Sequence, residues 1–85
     1  MKSLTQYGSL AEKHWREFLP KMVAELEANG QLHTILMETE EKTAAEMDSL
    51  RRHFIQQSLT PQQAHDLAWE IVRERYIFLP PENQS

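Results

Sequence analysis

Leu59-Thr60-Pro61-Gln62-Gln63 is the stretch whose reading decides the fold. Thr60 offers a side-chain oxygen to cap a helix, and Pro61 takes the first helical position, where its missing N–H is not needed. Gln63 completes a capping box by reaching back to the Thr60 amide. A helix therefore starts here. Upstream, the next break is Asn29-Gly30, where a Gly stands just past an apolar-periodic run and so marks a helix C-terminus. One long helix should fill the space between, from about Gln31 to Gln57, some ~40 Å at 1.5 Å per residue. It carries Leu32, Ile35, Leu36 and Met37 at one end and Met47, Leu50, Phe54 and Ile55 at the other.

Outward from this spine, Ala64, Leu67, Ala68, Ile71 and Val72 form the inner stripe of a third helix spanning about Pro61 to Tyr76. Ile77-Phe78-Leu79 before Pro80-Pro81 reads as an extended segment pressed against the bundle. On the other side, Ser9-Leu10-Ala11-Glu12 has the form of a capping box that opens the first helix. The stripe Trp15, Phe18, Leu19, Met22, Val23 and Leu26 follows at helical spacing. Pro20 interrupts that stripe without shifting its phase, which predicts a kink or break near Leu19 and two short helices facing one core. Short turns make neighbouring helices antiparallel. The expected fold class is all-α: a three-helix up-down-up bundle with a long central helix and a kink near Pro20. Residues 1–8, with Leu4 and Tyr7, read as an N-terminal arm, residues 9–79 as a single helical domain, and residues 80–85 as a flexible polar tail.

The 85 residues allow one domain, and a core of that size supplies only roughly 3–5 kcal/mol of net stability. There is no cysteine, so neither disulfides nor thiolate metal sites add to it. The net charge of -4 opposes general attraction to phosphates. No apolar run approaches a membrane span, and Met1-Lys2-Ser3-Leu4-Thr5-Gln6 lacks the apolar stretch of a signal peptide, so a cytoplasmic protein is expected.

Candidate chemistry is sparse. His14, His33, His53 and His65 lie on three elements and form no close pair on one helix face, and His33 with Met37, Glu40 and Glu41 is the best of the weak metal arrangements. Glu38, Glu40, Glu41 and Glu46 read as a solvated helix face, since acid–base work needs burial and opposed environments. With only Gly8 and Gly30 there is no phosphate loop, and no Ser or Thr sits in a nucleophile signature. Neither catalytic residues nor a metal or other cofactor is expected.

The aromatic residues are more informative. Trp69 and Tyr76 lie off the inner stripe of the third helix, with Val72 between them and Phe78 following. A second apolar face of this kind points to burial against another chain, as a homodimer or with a protein partner, or against the arm carrying Leu4 and Tyr7. The alternative function is a nucleic-acid-binding accessory factor, using a candidate basic patch of Arg51, Arg52, Arg73 and Arg75 if two helices bring them together. Tyr7-Gly8, Asn29-Gly30-Gln31-Leu32 and Ala68-Trp69-Glu70-Ile71-Val72 with the close Tyr76-Ile77-Phe78 resemble the TnpV family of small proteins encoded on bacterial transposons. The resemblance implies a mobile-element accessory setting and carries over no catalytic residues.

Overall fold

The computed structural model describes residues 4–82, and among them every regular element is helical. There are four α-helices: α1 Gln6–Phe18, α2 Pro20–Ala28, α3 Leu32–Gln56 and α4 Pro61–Val72. The chain continues from α4 into a π-helical turn, Arg73–Ile77. The first expected helix is thus two: Leu19 leaves the helical region (φ -132°, ψ 51°) and Pro20 opens α2, because a straight helix would bring the Pro20 ring against the carbonyl four residues earlier. The third expected helix gives up its regular hydrogen bonding after Val72, four residues before Tyr76.

Three of the N-termini show where caps come from. At α4 the capping box forms as its sequence dictates: the Gln63 amide donates to Thr60 Oγ1 at 3.2 Å and the Thr60 amide to Gln63 Oε1 at 3.0 Å. At α1 the Ser9–Glu12 box does not form. The helix instead starts at Gln6 with Thr5 as N-cap, and the Ser9 amide makes a helical bond to the Thr5 carbonyl. The acceptor for the first amides is Glu40, from the middle of α3. Its Oε1 takes hydrogen bonds from the Thr5 amide, the Thr5 hydroxyl and, at 3.1 Å, the Gly8 amide. Glu40 is therefore buried and not part of a solvated acidic face. Gly8 is needed for the approach, since a Cβ there would stand 2.8 Å from Glu40 Oε1.

At α2, whose N-cap Leu19 has no capping side chain, the carboxylate of Glu82 accepts from the Lys21 amide at 3.1 Å and the Met22 amide at 2.9 Å. The Glu82 amide donates to the Phe18 carbonyl at 3.0 Å. Residues 80–82 are thus docked across the α1–α2 break and are not a free tail. Residues 83–85 of the expected tail, like residues 1–3 of the expected arm, lie outside the described residues, and residues 6–8 of that arm belong to α1. Arg16 spans the same break from the surface, and its hydrogen bonds to Glu12 and then Glu27 raise its pKa further above the ordinary arginine value.

Two helices end in Schellman motifs. Gly30 (φ 69°) closes α2, with its own amide on Glu27 and that of Gln31 on Leu26. The same pair of bonds ends α3, from Ser58 to Ile55 and from Leu59 to Phe54, but here the left-handed residue is Ser58 at φ 75°. A side chain in that region is unfavourable by about 1–2 kcal/mol, while glycine adopts it freely and gives back part of the gain in chain entropy. Ser58 is exposed, so Ser58→Gly is expected to raise stability by about 0.5–1 kcal/mol. Urea denaturation monitored by circular dichroism checks this. An unchanged or lower midpoint would show that the Ser58 side chain contributes something at this turn.

The core has two clusters. Ala11, Trp15, Leu19, Val23, Leu32, Leu36 and Ile77 join α1, α2, the start of α3 and the π turn. Met47, Ala68 and Val72 join the far half of α3 to α4. Tyr7, Trp69 and Tyr76 pack against both. Between the clusters, Thr43 is fully buried and its hydroxyl donates to the Thr39 carbonyl at 2.7 Å. The buried Trp15 indole donates to the Ile77 carbonyl at 3.1 Å, and His14 Nε2 donates to the Leu79 carbonyl at 2.8 Å. Carbonyls left over where the π turn ends are thereby paired with side chains of α1. His14 is consequently a packed residue, its ring 4.6 Å from Phe18 and 5.2 Å from Phe78, and not a surface histidine.

Candidate functional site: an aromatic groove between α1 and α4

Gln6 and Leu10 are four residues apart on α1, as are His65 and Trp69 on α4, so each pair projects from one side of its helix. Tyr7 joins them from α1 and Phe78 from the segment after the π turn. These six residues line an open cavity of about 380 Å³. Tyr7 and Trp69 are stacked with ring centres 5.7 Å apart and 24° between planes. Phe78 meets Trp69 edge-on, with centres 6.2 Å apart and planes at 72°. The groove thus has an aromatic floor whose rings hold one another in place, with polar groups at its rim from Gln6 and the exposed His65.

The four residues of the expected partner face fare differently. Trp69 and Phe78 line the groove and are half-buried. Tyr76 is half-buried and packs into both core clusters. Val72 is fully buried, so it supports the face from beneath and offers nothing to a partner. Tyr7 stacks on Trp69 from within the chain, the intramolecular arrangement that the sequence left open. Gln6, Leu10 and His65 are parts of the site to which no local sequence pattern points on its own. Their spacing of four on each helix is a signal, but one that acquires meaning only once α1 and α4 are known to face each other.

The candidate basic patch is divided. Arg51 and Arg52 both pair with Asp48, at 3.6 and 2.6 Å, while Arg75 pairs with Glu46 at 2.9 Å. Asp48 and Glu46 are two residues apart, which at about 100° per residue puts them on opposite flanks of α3. Arg73 is half-buried, with its Nε inaccessible. The four guanidinium groups therefore form no continuous positive surface. His33 and Glu41 are exposed while Glu40 points inward to α1, which separates the strongest of the sequence-level metal arrangements.

Fold and groove together define an all-helical protein with an aromatic recess between α1 and α4. Compared with known proteins, the chain matches no family model, no curated protein and no solved structure. Among the described residues no helix is long and apolar enough to cross a membrane.

Proposed function

We propose that this chain is a non-catalytic helical interaction module that binds a protein partner by taking an apolar or aromatic side chain into the groove between α1 and α4. The observation that carries this is the groove's lining: Tyr7, Trp69 and Phe78 are braced against one another and only partly covered. Rigid aromatic side chains around a recess supply large contact area with little ordering cost on binding. The lining residues include no carboxylate, lysine or arginine and no serine, threonine or cysteine to pair with their one histidine, His65, which supports binding over catalysis. The course of the chain, with α1 and α2 taken as one interrupted helix, supports the up-down-up reading of the bundle. The mobile-element setting implied by the TnpV resemblance is part of the same proposal and bears on where the partner is sought.

The test is affinity capture from the native host, comparing wild type with His65→Glu and Trp69→Ala, each first checked for unchanged helical content. Both variants are expected to lose a protein that the wild type retains after nuclease treatment. Equal retention by all three would overturn the groove as the binding surface. Retention that disappears with nuclease would favour the nucleic-acid reading in its place.

A further inference from the structure

The groove occupies one side of α4, and the other side is uncovered. Leu67 and Ile71 each precede a buried residue, Ala68 and Val72, by one position, so they lie about 100° round the helix from the core, while Trp69 lies as far round the other way. Leu67 is 39% exposed and Ile71 is half-buried. The Glu46–Arg75 ion pair ties the π turn that continues α4 to α3 and so sets the register of the two helices. Because the two helices form a hairpin across the Ser58 turn, residues whose numbers shift oppositely stay opposite. Glu46, Leu50 and Phe54, four apart on α3, therefore run beside Arg75 in the π turn and Ile71 and Leu67 on α4. The result is a strip with two apolar rungs, Leu50–Ile71 and Phe54–Leu67, and one charged rung.

We infer that this strip is a self-association surface and that its occupant is a second copy of the chain, related by a two-fold axis. One feature supports a copy over a foreign partner, and two more show surface that an interface would cover. A two-fold interface must be complementary to itself, and the charged rung is so: it offers one guanidinium and one carboxylate side by side, so two copies can each set Arg75 toward the other's Glu46. The fold is also a slab, 46 × 37 × 13 Å with a Cα radius of gyration of 14.6 Å, where a compact chain of this length has about 12 Å. Finally, it exposes 5909 Å² at 10.0 kDa, against about 5,200 Å² for a typical monomer of that mass.

Light scattering and sedimentation equilibrium over a dilution series of the whole chain test this. The wild type is expected to approach twice the monomer mass at high concentration. Leu67→Glu places a charge on an apolar rung at an already accessible position and should give monomer mass throughout with unchanged circular dichroism. Ile55→Glu, 47% exposed and one position round α3 from Phe54, should leave the dimer intact, as should His65→Glu in the groove. A strictly monomeric wild type would overturn the inference, as would a dimer that survives Leu67→Glu. Dissociation by His65→Glu alone would move self-association to the groove, so failure of this surface and failure of the groove reading are told apart.

Discussion

Glu40→Ala is expected to lower the free energy of unfolding by about 3 kcal/mol, most of what a core of this size supplies. Glu40 is 8% exposed, and one of its oxygens serves three donors in the first turn of α1. Truncation leaves those donors behind. The Gly8 amide is buried and would lose its partner outright, at about 1–3 kcal/mol; the two donors of the more exposed Thr5 can turn to water and lose less. A cavity at the α1–α3 contact and the loss of a negative charge at a helix N-terminus add to the deficit. Glu40→Gln keeps an acceptor oxygen and removes the charge, so it should fall between wild type and Ala. Urea denaturation gives the size of the effect, and hydrogen exchange gives its place, with Gly8 losing protection before α4 does. A loss under about 0.5 kcal/mol for Glu40→Ala would show that the carboxylate is not what holds the first turn. Gly8→Ala at the same contact should destabilise even though Ala is the better helix former, because its Cβ would displace the carboxylate.

Trp15→Ala is expected to cost about 4 kcal/mol, enough to leave much of the chain unfolded at 25 °C. Trp15 is 3% exposed and stands in the larger core cluster between Leu19 and Ile77. Trp15→Phe separates two contributions. It keeps most of the apolar volume but removes the indole N–H, leaving the Ile77 carbonyl without its 3.1 Å partner. A loss of about 2 kcal/mol for Phe is expected, from a small cavity and an unpaired buried acceptor. Near-ultraviolet circular dichroism with calorimetry checks both variants. If Trp15→Phe unfolds at the wild-type temperature, the indole–carbonyl bond contributes nothing and the π turn is held by packing alone.

These two predictions rest on contacts of opposite legibility. That Trp15 is core could be read from its stripe, and the start of α4 could be read from Thr60, Pro61 and Gln63, because each signal is complete within a few residues. Gly30 was legible for the same reason. The turn at Ser58 was harder, since a serine seldom adopts positive φ and its neighbours did not mark the position. Glu40 and Glu82 could not be recognised as caps, as they act on α1 and α2 from across the fold. Local pattern reading placed the α1 cap at Ser9, but a buried carboxylate with three donors outweighs an exposed Ser–Glu box. For the candidate site the position was similar: Trp69 stood out as surplus to the inner stripe, but whether Tyr7 or a foreign chain would cover it depends on how α1 lies against α4. The division of the four arginines was not legible, because it depends on which of Asp48 and Glu46 each one pairs with.

The dependence of α1 and α2 on acceptors far along the chain has a consequence for how the protein is made. Residues 6–28 are synthesised ahead of Glu40, the π turn and Glu82, and until those later residues fold back on them their opening amides and the Trp15 indole have only water to bond. Neither helix is long enough to persist alone. The first part of the chain therefore depends on its last described residues, and folding is expected to be a single cooperative step, which stopped-flow refolding would show as one phase.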